Sequence, residues 1–457
     1  MEMPSFTRFA VEAPRWLFLL ALVYAPWVYG TTPAWAIKYL NLLLFVILGL
    51  WVTGCCLRRM PPAVPLTLLW CVGIILVSGW LMALNPHFQD TGNFTFVPHR
   101  PPFPFLPGTV DGATSRLAME RLTCLLGSVC FVCDLSARRV WRRRIWRTVA
   151  ATGASVVLFG LIQSAFARPI FFWKMEDVGE PYFATYYYHG NAGSYINLVL
   201  PFVAGLAALT MRRPDAHAAR ALWFPGFFIC VAGAFVNLSR SAMVITSGIC
   251  VLLLIWQFTG KSRNELLPRR RVRIAYALVM AGAMVCLVAF AGWEKPAQKW
   301  QMMHSQLNSS NKRLVSMRVC MRMLPDAGWH GFGPGTFGLV FPHYTGQDAA
   351  LIPGIWRYAH NDYVQTVLEW GWAGAMLWAV LFFGGFALVF LNWRRRWDLS
   401  TTDHVLLLVT GLALAGVAAH ALVDFPLQIA SLQLYVAVCL GFGWGSRNWE
   451  GTLASRA

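Results

Sequence analysis

Charge is scarce in this chain: Asp, Glu, Lys and Arg make up 13% of its 457 residues, against about a quarter in an average soluble domain. Together with 57% hydrophobic residues and a mean hydropathy of +0.52, that scarcity excludes a soluble globular protein and a disordered one. Acidic residues are scarcest, 20 against 38 Lys and Arg, for a net charge of +18. In a soluble protein this excess points to nucleic acid; in so apolar a chain it points to membrane orientation, and nucleic acid is not expected as a partner. Metal and cofactor signatures are missing too. Most of the 11 cysteines sit inside apolar runs, as Cys71, Cys124, Cys230 and Cys439 do, and no Cys-x-x-Cys spacing carries a metal or haem signature. No Asp-x-Asp occurs, and His330, His343 and His360 have no metal-ligand spacing. Gly331-Phe332-Gly333-Pro334-Gly335-Thr336-Phe337 is Gly-rich, but no Lys-Ser/Thr follows and no strand pattern precedes it, so it is not a P-loop. Neither a metal nor a cofactor is expected.

What the sequence has in abundance is long apolar runs. Runs of spanning length lie near 15–31, 36–57, 64–84, 116–135, 148–167, 193–211, 220–238, 241–259, 274–293, 368–393, 404–422 and 427–446. They predict an all-α, polytopic membrane protein of about 12 transmembrane helices, a single integral membrane domain over 1–457. Basic clusters (Arg58–Arg59, Arg138 to Arg147, Arg212–Arg213, Lys261 to Arg273, Arg394 to Arg396) follow every second run, which places them and both termini inside. On that assignment the inside holds 24 Lys and Arg with 8 acidic residues, net +16, and the outside 14 with 12, net +2. An N-terminal signal peptide cleaved near Ala34-Trp35-Ala36 would invert every later loop against the charge rule and is rejected. Three outer segments exceed a turn: 85–115, 168–192 and a large outer loop at 294–361 expected to contain short helices, where chemistry is expected.

Within that loop a helix is expected from Lys312 to Leu324, stopping at Pro325 and capped by one of Ser305, Asn308, Ser309, Ser310 or Asn311. It gathers Lys312, Arg313, Arg318 and Arg322 on the side where basic residues are sparse. Such a cluster suits a diphosphate, whose oxygens guanidinium groups grip bidentately; Lys312 and Arg322 suit anionic headgroups almost as well. Asn237-Leu238-Ser239-Arg240-Ser241 joins two runs at the outer surface, where helix-capping serines, open backbone N–H groups and Arg240 outline an anion site. Tyr358-Ala359-His360-Asn361-Asp362-Tyr363 closes the loop; Asn361 or Asp362 would cap the next helix and fix His360 at the membrane surface. Asp362, Gln365 and Glu369 form a polar stripe that must face the bundle interior, and a histidine held beside it can act as a general base.

These stretches, taken in order, resemble the O-antigen ligase and polymerase superfamily of membrane glycosyltransferases. The resemblance rests on the Asn191 region, Ser239-Arg240-Ser241, Arg313 followed by the Gly331–Phe337 run, His360-Asn361-Asp362-Tyr363 with Glu369-Trp370-Gly371, and His420 with Asp424-Phe425-Pro426. It spans roughly residues 185–430. Trp329-His330 departs from the family pattern, and the first half of the chain has no motif that aligns. The turn Gly30 to Pro33 lacks the acid that many metal-dependent membrane glycosyltransferases place there.

The resemblance implies a multi-pass protein of the bacterial inner membrane, with its site and the 294–361 loop on the periplasmic face. It implies transfer of an O-antigen-type glycan from undecaprenyl diphosphate to an acceptor hydroxyl, by a metal-independent inverting mechanism of the GT-C type. Arg240 and Arg313 would hold the donor diphosphate with help from Arg318, and His360 would activate the acceptor. Asn191, Asn361, Asp362, Tyr363, Glu369 and Asp424 would line the substrate site. The expected partners are the lipid-linked donor, a lipid A-core or other glycan acceptor, and membrane lipids. The number of runs and the single dominant loop favour a ligase over a polymerase that extends lipid-linked repeats. A flippase for lipid-linked glycans would need polar residues at mid-membrane on several helices, which are sparse here. A non-catalytic scaffold would leave the His360 stripe without a purpose.

Overall fold

A computed structural model describes residues 5–92, 94–166, 182–211, 215–259, 301, 312–396 and 398–450. Helices follow the apolar runs: α1 (Ser5–Trp27), α2 (Ala34–Arg58), α3 (Leu66–Ala83), α4 (Gly112–Ser136), α5 (Arg139–Ala165), α6 (His189–Thr210), α7 (His217–Val236) and α8 (Arg240–Thr259) come first. After them come α9 (Lys312–Ala327), α10 (Asp362–Arg395), α11 (Thr401–His420) and α12 (Ala430–Gly445). Among the described residues eight of these are long and apolar enough to cross a membrane: α1, α2, α3, α5, α6, α7, α10 and α11. The runs behind α4, α8 and α12 are also helical, whereas the run at 274–293 and the cap candidates at 305–311 lie outside the described residues.

Local chemistry sets the boundaries. Asp111 caps α4 by accepting from Thr114 N at 2.7 Å, and Ser400 caps α11 by accepting from Asp403 N at 3.2 Å. Pro33 and Pro65, held extended, precede α2 and α3, and α2 ends on Arg59 in the left-handed conformation. In an apolar medium the backbone must satisfy itself, which helices do within one segment.

Helix α6 is the most enclosed of the eight candidate spans, and α10 the least. Buried Phe18, Phe131, Trp146, Phe202 and Tyr435 belong to one continuous core. At one end the Arg142 guanidinium, fully buried, meets Asp403 at 2.8 Å, accepts the face of Trp449 at 4.7 Å and donates to the carbonyls of Ser136 and Ala137. Removing either partner would strand a buried charge.

The other end carries the long loops. Segment 85–115 contains a two-stranded antiparallel ribbon, β1 (Phe88–Asp90) against β2 (Phe96–Pro98), with Gln89 opposite Val97. The Asn85 side chain holds this segment through the carbonyls of Phe103, Leu106 and Pro107 and the N–H of Phe103. Helix α9, a helical turn at Phe337–Val340 and two 3-10 turns pack Val319, Met323, Phe337, Phe341 and Ile352 into a second core seated on Leu368. The expected stop of α9 at Pro325 is overrun by two residues: Pro325 sits in the last turn, and Gly328, at φ +54°, turns the chain away.

Helix α10 is broken at Gly371, whose φ of +65° and ψ of −178° suit glycine alone. The break releases backbone groups that the Gly-rich loop takes up. Phe332 N and Gly333 N donate to the carbonyls of Leu368 and Glu369, while Trp372 N and Ala373 N donate to those of Gly328 and Trp329. Val110 N and the Ser115 hydroxyl bond the carbonyls of Phe332 and Pro334 from the other side, so the Gly-rich run is clamped between the 85–115 segment and α10.

Candidate active site

The site grows from the residues before α10. Asn361 caps the helix by accepting from Val364 N at 3.1 Å, and its amide donates to Leu422 O at 3.0 Å. Asp362 N donates to Ala421 O, and the buried Asp362 carboxylate accepts from Leu427 N at 2.8 Å and the Gln428 side chain at 3.0 Å. The start of α10 is thereby stitched to the turn between α11 and α12. His360, at φ +53°, is held at that seam with its side chain 22% exposed.

His360 Nδ1 lies 3.2 Å from Asp424 Oδ1. The other oxygen of Asp424 accepts from Tyr188 OH at 3.2 Å, and that phenol oxygen accepts from Arg313 Nη2 at 2.6 Å. Arg313 Nη1 reaches Val423 O at 3.3 Å. A continuous polar chain therefore runs Arg313, Tyr188, Asp424, His360 across residues from four places in the sequence. Burial pushes the Asp424 carboxyl up, but the hydrogen bond to His360 and the charge of Arg313 outweigh it and hold it below the usual range. Phe425 stacks between Tyr358 at 4.5 Å and Tyr188 at 5.5 Å and meets the edge of His360 at 4.8 Å; Trp356 takes another side of the imidazole at 5.5 Å. The ring is fixed by packing as well as by its acid.

Arg240, half-buried, opens α8. Ser239 Oγ accepts from Ala242 N at 3.4 Å, and the Ser239 and Ser241 hydroxyls are 3.1 Å apart. Ser241 Oγ lies 3.0 Å from Nε2 of buried His420, one helical turn before Asp424. Asn237 donates to His189 O at 2.8 Å, tying this junction to the start of α6.

Of the expected site residues, His360 meets Asp424 directly and Arg313 reaches it through Tyr188, while Arg240 precedes Ser241, which meets His420. Asn361 and Asp362 hold the seam. Tyr363 donates to Ala418 O on α11. Glu369 accepts from Gly335 N and Gln365 Nε2, both at 2.9 Å, so it anchors the Gly-rich loop. Asn191 is buried in the first turn of α6, and its Oδ1 has no hydrogen-bond partner among the described residues. Arg318 is exposed on α9, and Arg322 pairs with Asp348. Among the described residues no three His, Cys, Asp or Glu side chains converge as metal ligands do. Cys130 and Cys133, though spaced Cys-x-x-Cys, are buried, free thiols on α4.

Tyr188 and Trp356 were not among the expected site residues, and Ser241, expected as a helix-capping serine, meets His420. Tyr188 lies 125 residues before its partner Arg313 and 236 before Asp424, and only the fold joins them. The one signal in the sequence is the polar run Tyr186-Tyr187-Tyr188-His189 in an outer segment.

A helical bundle with eight candidate spanning helices among the described residues defines a multi-pass membrane protein, with a histidine, an acid and an arginine linked together at one end. Residues 225–379, about a third of the chain, match the family model described as O-Antigen ligase, so this segment is similar to that family and supports the resemblance to O-antigen ligases and polymerases. The match takes in Arg240, Arg313 and His360; Tyr188, His420 and Asp424 fall outside it. No curated protein matches the chain.

Proposed function

We propose that the protein transfers an O-antigen-type glycan from undecaprenyl diphosphate to a hydroxyl of lipid A-core at the periplasmic face, by an inverting, metal-independent reaction. The observation that carries this reading is the polar chain from Arg313 through Tyr188 and Asp424 to His360. Asp424 accepts the Nδ1 proton of His360 and so turns Nε2, as the base, toward the substrate. Nε2 takes the proton of the acceptor hydroxyl, the acceptor oxygen bonds the anomeric carbon from the face opposite the diphosphate, and the bond from that carbon to the diphosphate oxygen breaks. Its electron pair leaves with the diphosphate, whose growing charge Arg240 and Arg313, with Arg318, neutralise. The proton on His360 then passes to the departing diphosphate or to water.

The test is twofold. In purified protein, His360→Ala or Arg240→Ala abolishes transfer, with a loss on the order of 100-fold or more expected for the base, while expression and membrane insertion are unchanged and the wild type turns over in excess chelator. Full activity in either variant refutes the mechanism. In cells, deleting the gene removes the whole lipopolysaccharide ladder; retention of a single repeat would make the acceptor another lipid-linked repeat instead.

A further inference from the structure

The end of the bundle that carries Arg142 holds a cavity which the transfer chemistry does not use. About 180 Å³ of space lies among the start of α1, the end of α2, the link from Met60 to Ala63 and the end of α4. Gly54 lets α2 close on α1 there, since a Cβ at that position would stand 2.9 Å from Ala10 O. Trp51 makes one wall. Its ring meets the edge of Phe131 at 5.6 Å, and its Nε1 donates to Asp134 Oδ2 at 2.8 Å.

Arginines from three places in the sequence, Arg15, Arg58 and Arg138, line this space. Asp134 is the one acid of the lining, and both its oxygens are engaged, Oδ2 by Trp51 and Oδ1 by Ala63 N at 2.7 Å. Buried Arg15 gives Nη1 to Glu12 and lies over Trp141 at 5.5 Å. Arg58 gives Nε to Gly54 O at 3.0 Å and touches Cys55 Sγ at 4.0 Å. Among the described residues neither Arg58 nor Arg138 forms an ion pair. Three cations less the two acids, Asp134 and Glu12, leave a charge of +1 at the cavity. A phosphodiester carries the matching single negative charge, and guanidinium forks fit its oxygens. The space is smaller than the ~300–1,000 Å³ of pockets that enclose whole drug-sized ligands, so it suits a head group. Beside it, sharing Trp51, Met60 and Pro61, is an apolar slot of about 360 Å³ that exposed Val52 and Pro62 extend, with Arg59 as its charged residue. Val52 is six residues before Arg58 on α2, about 9 Å along the helix. The slot therefore leads from the cationic cavity toward the middle of a candidate span, as the tail of an amphiphile would.

We propose that the cavity and slot together bind one anionic phospholipid with a phosphodiester head, its phosphate among Arg15, Arg58 and Arg138 and one acyl chain along Trp51 and Val52. An amine-bearing head is disfavoured, because it would bring a further cation among three. Such a lipid ties α1, α2 and α4 together at the end of the bundle away from His360. The inference is independent of the transferase reading, since none of these residues belongs to the proposed chemistry.

The probe is phosphatidylglycerol, with phosphatidylcholine of the same acyl chains as reference, titrated into the protein in a neutral detergent and read by native mass spectrometry and by Tm. The wild type is expected to hold phosphatidylglycerol about tenfold tighter or more, with a Tm that rises as the lipid binds the fold. The double variant Arg58→Gln with Arg138→Gln, at positions that are not buried, loses that preference. Val52→Trp weakens phosphatidylglycerol binding by filling the slot. Arg394→Gln removes an exposed arginine that lies over Phe390 and does not line the cavity, and it keeps the preference. Equal binding of the two lipids by the wild type, an undiminished preference in the double variant, or full binding by Val52→Trp overturns the proposal. So does a loss in Arg394→Gln as large as in the double variant, which would make the preference a property of the basic belt and not of a site. Glycerol phosphate bound as tightly as the lipid would make the cavity a site for a soluble phosphate and overturn the lipid assignment.

Discussion

Asp424 has two tasks that a neutral amide cannot share. It orients His360 through one oxygen and, through Tyr188 on the other, sets where Arg313 points. Asp424→Asn keeps the shape but can donate where it must accept, which presents the wrong imidazole nitrogen to the substrate. The expected loss in kcat is about 100-fold to 10,000-fold, with the acceptor KM little changed. Tyr188→Phe removes only the bridging hydroxyl and keeps the stack on Phe425, so its loss falls on donor KM more than on kcat. The same carboxylate predicts an acid limb. Its folded value is depressed, so the stabilisation it gives is fully present above the ordinary Asp value of about 3.9 and is lost as pH falls through the lower folded one. Thermal unfolding in detergent between pH 7 and 3 (about the range that brackets that value) should show this loss in the wild type and a shallower dependence in Asp424→Asn. An identical slope would mean that Asp424 is not ionised in the fold.

At the scale of elements, the break in α10 explains how a spanning helix and a surface loop share one rigid unit. A Cβ at Gly371 would stand 2.2 Å from Trp329 C and 2.3 Å from His330 N, at a backbone conformation that side chains do not adopt. Gly371→Ala should therefore push the Gly-rich loop off α10 and cost on the order of 2–4 kcal/mol, read as a lower Tm and as proteolytic cleavage near residue 330. A Tm equal to wild type would show that the loop does not depend on the break. Nothing in the sequence announces this break, because glycine inside an apolar run costs only about 1 kcal/mol in a helix and reads as a continuing span. Helices, by contrast, were legible where apolar length and a capping residue coincide, as at Asn361. His360 and Arg313 were legible because charge on the sparse side of the membrane demands a reason. Tyr188 was not: a tyrosine among tyrosines carries no spacing that marks it, and its partners are brought to it only by packing of distant segments.

For the whole molecule, the asymmetry of charge orients everything else. If the +16 face lies inside, then the α10 start, the α9 arginines and the 85–115 ribbon share the outer face, where a lipid-linked glycan can be reached without a nucleotide donor. Two positions report on this directly. Phe105, in the 85–115 segment, is fully exposed, and Cys56, an exposed native thiol at the far end of α2, sits beside the basic pair Arg58–Arg59. Helix α2 spans 25 residues, about 37 Å at 1.5 Å per residue, enough to cross a hydrocarbon core of about 30 Å, so its two ends are on opposite sides. A membrane-impermeant maleimide applied to intact spheroplasts should label Phe105→Cys at once and Cys56 only after the membrane is permeabilised. Labelling of Cys56 in sealed spheroplasts with Phe105→Cys protected would turn the chain over and put His360 on the cytoplasmic side. A periplasmic transfer reaction could not survive that result, whatever the geometry of the site.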